Sequence, residues 1–516
     1  MFAKDKENRL AQRLALVFVA AVAALLLAVA TIRFYDRVSQ KQIDVRFPVP
    51  ADDATNANLE AGRKLRRNAP GQFMTLDPTG KFLINSVTQK PVFITGEAAW
   101  SLQVQLSDED VEAYLSDRES RGFNLALVDL ADNFYSNHPP KDFYGNAPFD
   151  GADFTSPNEA YWKRVDQTFR RAEAHGITIM ADPAFVGYQC TGGYCPSYRS
   201  SSMETVAAYG QFLGNRYKSF PNLIWLIGGD ADPADADGQR KLYALAKAVR
   251  AADPVHLITT EGMRGYSSID VWNGAPWLDL NALYMKPSEI PAKASTDYKA
   301  SPHPLFLLED WYEGAKEINE AGVRKEGYWA VLSGCTIGRL FGNYAIWNFT
   351  WWQQTRDPWK DQLASEGSVG QSLLGKLLRS RAHWKLVPDT GHEVLTAGYD
   401  PRPWRERTKE RARSWIYGDT FRTGERLAVA ARTSDGQTII VYIPDGRASV
   451  TIDMSKISDP QSQARSWWFN PRSGSTALVG VTTAHDLQNF QAPDANDWVL
   501  VIDSLAANLP APGAAN

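Results

Sequence analysis

The sequence predicts an α/β protein: a (β/α)8 TIM barrel, then a small all-β sandwich domain, with a transmembrane helix at the N-terminus. Eight short apolar runs lie between residues 92 and 349, and most alternate with amphipathic segments that carry helix signals. After about residue 390 the helical period fades, and strand-like runs alternate with Asp-Gly and Ser-Gly turn signals. Residues 14–32 are uncharged and almost entirely apolar, as a membrane span requires.

The N-terminal segment, residues 1–37, is predicted to be a membrane anchor or a signal segment. Its apolar stretch is close to the ~20 residues that cross a bilayer and longer than the roughly 7–15 of a signal-peptide core. An uncleaved anchor is therefore favoured over a cleaved signal peptide, and the remainder is expected to be exported to the periplasm or the cell exterior. Residues 38–71 are polar and contain Pro48 and Pro50, which predicts a flexible linker.

Composition narrows the functional classes. The net charge of −4 provides no global basic field, so no nucleic-acid partner is expected. The seven His are scattered without ligand spacing, so neither a metal nor another cofactor is expected. Cys190 and Cys195 bracket a Gly-containing loop and could form a disulfide after export, and two reduced thiols are the alternative.

The barrel is predicted over residues 72–390. Ser107 and Ser156 each begin a capping box before an amphipathic stripe, which indicates two of the helices. An open doubly wound sheet is the alternative, but no Gly-rich nucleotide fingerprint follows any strand. The predicted strands are residues 92–96, 124–130, 177–181, 223–227, 256–260, 280–284, 305–308 and 345–349.

The C-terminal region, residues 391–505, is predicted to be the β-sandwich. Strand-like runs at a spacing near ten residues, without helices between them, are typical of this class. We favour a role in packing against the barrel, and carbohydrate or protein binding is the alternative. The last segment, residues 506–516, is rich in Ala and Pro and is predicted to be disordered.

The fourth run, residues 223–227, is followed by Gly228, Gly229 and Asp230. Barrel enzymes place their catalytic groups at the C-terminal ends of strands, so Asp230 is a candidate catalytic acid. A capping Asp at the start of the next helix is the alternative. The seventh run ends at Glu309, and strands four and seven lie across a barrel from each other.

The other strand ends supply mainly carboxylates and aromatic rings. Glycoside hydrolysis needs one acid to protonate the leaving oxygen and one carboxylate at the anomeric carbon, and aromatic faces hold sugar rings. The fifth run ends at Glu261, to which the sequence assigns no role. The predicted substrate-binding residues are Glu97, Trp100, Asp129, Asn133, Asp182, Tyr284, Glu313, Trp347 and Trp351.

Several of these candidates have structural alternatives. Glu97 could bond to the backbone at the barrel rim, and Glu313 could cap a helix. Asp129 and Asp182 could each pair with Arg or Lys. Asp232 is either a turn residue or a second candidate for the acid.

Six segments carry a resemblance to a known family. Residues 93–100, Phe-Ile-Thr-Gly-Glu-Ala-Ala-Trp, and the helix ending in Gly-Phe-Asn at residues 122–124 resemble the opening of the apiosidase-like glycoside hydrolases, the glycoside hydrolase family 140 type. Residues 222–230 are similar to their fourth strand, and residues 328–335 and 342–347 to their Tyr-Trp-x-x-Leu-x-Gly helix and Gly-Asn-x-x-Ile-Trp strand. The tail around residues 467–474 resembles the β-domain, called collagen-binding, that accompanies this barrel.

The resemblance implies a retaining glycosidase with Asp230 as acid/base and Glu309 as nucleophile. Their carboxyl groups would lie about 5–5.5 Å apart, and their repulsion would raise the pKa of the acid. Glu97 replaces an Asp of the family, Arg339 stands where a His is expected, and Asn470 replaces another Asp. The substrate therefore stays open between apiose-containing pectin, another plant glycan and a bacterial exopolysaccharide.

The sequence thus predicts a membrane-anchored, exported glycoside hydrolase that acts on a plant or bacterial polysaccharide or oligosaccharide. Its partners would be that glycan and, through the N-terminal helix, the membrane. The alternative function is a catalytically inactive polysaccharide-binding or cell-envelope scaffold.

Overall fold

The computed structural model describes residues 45–50, 64–315, 318–349, 358–400, 405, 409 and 426–514. Eight parallel strands pair in chain order, and the eighth pairs with the first. The fifth and sixth are joined where Asp279 N–H donates to Ile258 O (2.9 Å) and Thr259 Oγ1 donates to Leu280 O (3.1 Å). The predicted (β/α)8 barrel is therefore confirmed. The strands are β1 (Ile94–Ala98), β2 (Leu125–Asp129), β3 (Thr178–Asp182), β4 (Leu223–Ala231), β5 (Leu257–Gly262), β6 (Asn281–Tyr284), β7 (Leu305–Glu309) and β8 (Gly338–Phe341).

Helices cover the outside of this barrel, and side chains of alternate strand residues fill its interior. On β1, Ile94 and Ala98 face the interior, and a Cβ at Gly96 would lie 2.9 Å from the Leu340 side chain. The predicted cap at Ser107 is present, since its Oγ accepts from Asp110 N–H (3.1 Å). The helices are Leu102–Gln105, Asp108–Ser120, Glu159–Ala174, Cys195–Ser200, Met203–Tyr217, Ala236–Ala252, Ser268–Trp272, Ile290–Ala300, Glu320–Ser333, Trp359–Gln362 and Glu366–Arg379.

The prediction for the eighth strand was wrong in position. The strand is Gly338–Phe341, and the predicted run at residues 345–349 instead forms turns after it. The true strand contains Arg339, a buried cation that breaks the apolar pattern. Its guanidinium is held by Asp310 Oδ2 (3.3 Å) and the Val323 carbonyl (2.8 Å), so Arg339 serves the packing and not a sugar carboxylate.

Described parts of the predicted linker, residues 38–71, are packed against the barrel. The Phe47 ring lies 4.8 Å from those of Tyr243 and Trp272. The buried Arg66 guanidinium forms an ion pair with the equally buried Asp279. For these stretches the prediction of a flexible linker was wrong, because the sequence pattern did not reveal their partners. A three-stranded antiparallel sheet then leads into β1, and its strands are Thr75–Leu76, Leu83–Asn85 and Lys90–Val92.

The C-terminal region is all-β, as predicted. Two antiparallel sheets share one apolar core, which includes Ile439 and Leu500 from the larger sheet and Ile452 and Phe490 from the smaller one. The strands are β9 (Leu386–Pro388), β10 (Leu395–Ala397), β11 (Val429–Thr433), β12 (Thr438–Ile443), β13 (Ser449–Asp453), β14 (Gln463–Phe469), β15 (Thr476–Thr483), β16 (Leu487–Gln491) and β17 (Trp498–Ser504). The larger sheet has the order β9-β11-β12-β17-β14-β15, and the smaller has the order β10-β13-β16.

The barrel and the β-region meet through stacked rings and buried ion pairs. Tyr328 stacks on Tyr442 with ring centroids 4.6 Å apart. Arg381 binds Asp503 at 2.7 Å, and both side chains are almost fully buried. Arg381 also donates to the Pro510 carbonyl (2.9 Å), so the described part of the final segment is packed against the barrel, and its predicted disorder was wrong there.

Replacing Arg381 by Ala is expected to destabilise the protein by about 3–5 kcal/mol, because it leaves the buried Asp503 charge unpaired. Urea unfolding monitored by tryptophan fluorescence measures this free energy. Arg447→Ala is the matched control. Arg447 makes a similar contact with Asp445, but its own side chain is exposed and Asp445 keeps Arg426 as a second partner, so stability should change little. Equal unfolding midpoints for the two variants would contradict the structural role of the Arg381 pair.

No helix in the described ranges is long and apolar enough to cross a membrane. The span predicted at residues 14–32 lies outside those ranges.

Candidate active site

A pocket opens at the C-terminal ends of the barrel strands, and both predicted catalytic residues line it. Asp230 comes from the end of β4 and Glu309 from the end of β7. The walls are mainly aromatic. The lining residues are Trp100, Asp129, Tyr135, Phe185, Asp230, Arg264, Glu309, Asp310, Trp311, Tyr312, Ala315, Tyr344 and Trp347.

The backbone before Asp230 has an unusual conformation. Gly228 has φ = 130°, and a Cβ there would lie 2.3 Å from the Glu261 carbonyl oxygen, so no larger residue fits. Asp230 itself has φ = 56°, in the left-handed region that non-glycine residues seldom adopt. Such strain is often retained at functional sites. The N-cap of the following helix is Asp235, so the capping alternative for Asp230 was wrong.

The surroundings of Asp230 favour its protonated form. Burial, followed by the negative charge of Glu309, raises the pKa of Asp230 to about 8, and Arg264 opposes this shift. Its Oδ1 is buried and accepts no hydrogen bond from the described residues. Asp230 is therefore a carboxylic acid near neutral pH, with its side chain free to donate into the pocket.

Glu309 has more partners that stabilise its ionised form. Burial raises the pKa of Glu309 above its usual range, while its neighbour Glu261, the charge of Arg264 and the hydroxyl groups of Tyr312 and Tyr284 oppose this shift. Arg264 also donates to the Tyr284 hydroxyl (3.1 Å), which links the predicted residue Tyr284 to this cluster. The two acids thus have different environments, which is how one site holds an acid and a carboxylate together.

Asp129 and Asp182 form a second acidic pair, at the C-terminal ends of β2 and β3. They are register partners on β2 and β3, and both are buried. Burial raises the pKa of Asp182 to about 8, and burial together with the Asp182 charge raises that of Asp129 well above its usual range. Neither forms an ion pair with Arg or Lys among the described residues, so that alternative was wrong. Asp129 faces the pocket, whereas Asp182 lies behind it, next to Gly229.

Aromatic rings build the walls around the acids. The Trp100 indole N–H donates to the Tyr312 hydroxyl (3.0 Å), which fixes both side chains. Tyr135 packs edge-on against Trp347, with ring centroids 4.9 Å apart. The predicted residues Trp100 and Trp347 therefore lie at the pocket, and the flat walls can hold the apolar face of a sugar ring.

Two predicted substrate-binding residues, Glu97 and Glu313, have carboxylates that are bound by other groups away from the pocket. Glu97 points outward from β1, where the Tyr114 hydroxyl (2.7 Å) and Arg118 (3.0 Å) bind it beneath a helix. Glu313 accepts from Gly367 N–H (2.8 Å) at the start of Glu366–Arg379, so it caps a helix, as its alternative stated. Both predictions of substrate binding were wrong.

None of the remaining candidates lines the pocket among the described residues. Asn133 lies in the loop that carries Tyr135 but does not line the pocket. Asp232 accepts from Ala234 N–H (2.8 Å), so it is a turn residue. Trp351 lies outside the described residues.

The sequence assigned no role to several residues that complete the site. They are Glu261, Arg264, Tyr312, Tyr135 and Phe185. A strand-end position was the one available signal for Glu261. The other four lie on loops, whose direction no sequence periodicity predicts.

Cys190 and Cys195 form a disulfide beside the pocket, with Cα atoms 5.2 Å apart. The loop between them contacts the pocket wall, since Tyr194 N–H donates to the Phe185 carbonyl (2.7 Å). The third cysteine, Cys335, is buried and unpaired. The disulfide thus stiffens the loop next to Phe185.

Comparisons with known proteins identify the family and the fold of the chain. Residues 77–385 match the family model described as "Apiosidase-like, catalytic domain". Residues 412–503 match a model described as a collagen-binding domain of a collagenase, a name that is not evidence of collagen binding by this chain. No curated protein matches the sequence.

Solved structures share the fold over most of the chain. One, described as a glycoside hydrolase, is 24% identical with a TM-score of 0.70, and the match covers 85% of this chain and 98% of that one. Another, a glycoside hydrolase family 5 protein from Bacteroides vulgatus, is 23% identical with a TM-score of 0.70, over 85% and 95% of the two chains. Because the catalytic-domain model spans more than half of the sequence, the chain belongs to the apiosidase-like family and is a glycoside hydrolase.

Proposed function

We propose that the protein is a retaining glycoside hydrolase that acts on a plant or bacterial polysaccharide, with Asp230 as acid/base and Glu309 as nucleophile. The observation that carries the proposal is their placement at the ends of β4 and β7 in one aromatic-walled pocket. Strands four and seven lie opposite each other in an eight-stranded barrel, so a glycosidic bond held between them meets one carboxyl group from each side.

The electrostatics of the pair support these roles. Asp230, with a pKa of about 8, keeps its proton at neutral pH and can give it to the leaving oxygen. Burial raises the pKa of Glu309, but the charge of Arg264 and the hydroxyl groups of Tyr312 and Tyr284 oppose this shift and favour the ionised nucleophile. After the sugar is transferred to Glu309, Asp230 is ionised. It would then accept a proton from the water molecule that attacks the glycosyl-enzyme and releases the sugar.

A retaining mechanism requires the two carboxyl groups to lie close together. The charge of Glu309 is the second cause of the raised Asp230 pKa, after burial, which supports a short distance between the two carboxyl groups. Retaining enzymes hold their carboxyl groups about 5–5.5 Å apart, whereas inverting enzymes leave room for a water at about 6.5–9.5 Å. The contribution of the Glu309 charge to the pKa of Asp230 supports the shorter separation.

Sugar release from a polysaccharide panel tests the function. We expect wild type to release reducing ends from at least one glycan among apiose-containing pectins, other plant glycans and bacterial exopolysaccharides. Asp232→Asn is the matched control, because this turn carboxylate lies two residues from Asp230 and should leave the rate unchanged. Binding of a glycan without release of any product would favour the inactive scaffold.

We also propose that the catalytic region is exported and anchored by residues 14–32. The disulfide supports an oxidising compartment, since such bonds persist outside the cytosol. Protease treatment of intact cells that express the full chain tests this proposal. Digestion of the catalytic region while a cytosolic marker survives is the expected result, and full protection in cells with a permeabilised envelope would contradict it.

A further inference from the structure

Phe134 is an exposed aromatic residue beside the pocket, and the mechanism above does not use it. It precedes Tyr135, which lines the pocket, and 46% of its surface is exposed. The two rings meet edge to face, with their centroids 4.8 Å apart and an angle of 88° between their planes. Phe134 therefore continues the aromatic wall of the pocket onto its outer rim.

A buried carboxylate holds the loop that carries Phe134. Asp132 Oδ1 accepts from the main-chain N–H of Phe134 (2.7 Å) and from that of Tyr135 (2.8 Å). Its Oδ2 accepts from Ser101 Oγ (2.9 Å), next in the chain to the pocket residue Trp100. The main chain at Phe134 is thus fixed to the barrel before any ligand arrives.

The disulfide loop supports the Phe134 ring from another side. A Cβ at Gly192 would lie 3.0 Å from Phe134 Cδ1, so the main chain of this loop packs directly against the ring. The Cys190–Cys195 disulfide closes the loop, and Gly187 N–H donates to a carbonyl at the end of β4 (3.1 Å). Because the ring is already held, a ligand that covers it loses little affinity to ordering the protein.

A single exposed aromatic residue is common on protein surfaces and needs no function. Phe134 differs because two supported loops hold it in contact with the wall of a substrate pocket. That pocket has a volume of about 230 Å³, below the ~300–1,000 Å³ of sites that enclose a drug-sized ligand. A polysaccharide is longer than such a pocket, so its further sugar rings must cross the rim.

We propose that Phe134 is the platform of a second sugar-binding subsite, which takes a ring of the polysaccharide chain that lies outside the pocket. This inference rests on the proposed function. The apolar face of the sugar lies on the exposed part of the phenyl ring, so apolar surface of both partners leaves water. Such stacking requires no charge on the sugar. Phe134 therefore selects for chain length and favours long glycans over short ones.

Hydrolysis of a chain-length series tests the subsite. The probes are oligosaccharides of increasing length, prepared from the pectin or exopolysaccharide that wild type cleaves. In wild type, kcat/KM should rise roughly tenfold at the length that first reaches Phe134, because the stacked ring buries apolar surface. Phe134→Ala should lose this step, and its kcat/KM on the shortest cleaved fragment should equal that of wild type.

Two further substitutions separate stacking from packing. Phe134→Tyr keeps a flat ring and should retain the step of wild type. Phe134→Leu keeps an apolar contact with Gly192 but has no flat face, so it should lose the step as Phe134→Ala does.

Phe143→Ala is the matched control. Phe143 belongs to the same loop between β2 and the next long helix, and 54% of its surface is exposed. Its ring meets that of Tyr144, whose hydroxyl accepts from Asp108 N–H (3.1 Å) on an outer helix. The control should retain the step.

Several outcomes would overturn the proposal. They are the absence of a length step in wild type, a step that persists in Phe134→Ala or Phe134→Leu, and equal losses at every length, which would assign Phe134 to the packing of the wall. If Phe134→Ala does not fold, Phe134→Leu decides in its place.

Failure of the proposed function gives a different result. If wild type cleaves no glycan, affinity electrophoresis in gels that contain the same pectins and exopolysaccharides replaces the rate measurements. Retardation that is lost in Phe134→Leu and kept in Phe143→Ala would support the subsite while the proposed hydrolysis fails. Equal retardation of wild type and Phe134→Leu, or no retardation of wild type, would overturn the subsite.

Discussion

Glu309→Gln is expected to lose glycoside hydrolysis by at least about 10⁴-fold in kcat, as removal of a nucleophile does in other enzymes that use covalent catalysis. The amide has nearly the same shape as the carboxylate but cannot attack the anomeric carbon. The pocket and its aromatic walls stay intact, so affinity for the glycan should change little. Single-turnover and steady-state rates of reducing-sugar release, together with calorimetric binding, measure both quantities.

Glu313→Gln provides a comparison for the Glu309 variant. Glu313 lies four residues further along the chain but caps a helix. Its substitution should therefore lower the free energy of unfolding and leave kcat close to that of wild type. Rates within tenfold of wild type for Glu309→Gln would contradict its assignment as nucleophile.

Asp230→Asn is expected to lower kcat by about 10²–10⁴-fold on glycans, whose leaving groups need a proton. The loss should be much smaller on dinitrophenyl glycosides, because their leaving group departs without protonation. In wild type, kcat/KM should fall as pH rises through about 8, since the acid loses its proton there. The variant should lack this alkaline limb, because its amide does not titrate.

The alkaline limb separates Asp230 from its neighbours. Asp182 has a raised pKa of about 8 as well, but it lies behind the pocket and cannot reach a leaving oxygen. Asp182→Asn should therefore retain the alkaline limb. An alkaline limb that persists in Asp230→Asn and disappears in Asp182→Asn would contradict the assignment of the acid.

The sequence was sufficient to place Asp230 and Glu309, because each follows a continuous apolar run. In a barrel, the residue after such a run lies at the C-terminal mouth whatever the details of register. For the same reason Asp129, which ends β2, lies at the pocket, whereas Asp182, which ends β3, lies behind it.

Glu97 shows where this reasoning fails. Successive side chains of a strand point to opposite faces, so a single position decides between the pocket and the helix layer. On β1, Ile94 and Ala98 face inward, which turns Glu97 outward to Arg118. The direction of Glu97 depends on the exact register of the strand, and its apolar pattern is too short to fix that register.

The supporting residues of the site could not be predicted for another reason. Tyr312 accepts a hydrogen bond from Trp100, two residues beyond β1, and Arg264 donates one to Tyr284 at the end of β6. Such contacts depend on loop conformation and on the closure of the barrel, and neither has a periodic signal in the sequence. The family resemblance suggests roles only for residues within the matching motifs, and these supporting residues lie outside them.

Mass spectrometry of a trapped enzyme tests the central claim most directly. A 2-deoxy-2-fluoro glycoside of the sugar that wild type releases should glycosylate the enzyme slowly and remain bound, because the fluorine slows the second step of a retaining mechanism. The account predicts one added glycosyl mass per chain, located on the peptide that contains Glu309. A label on any other residue, or a product of inverted configuration with no label, would contradict it.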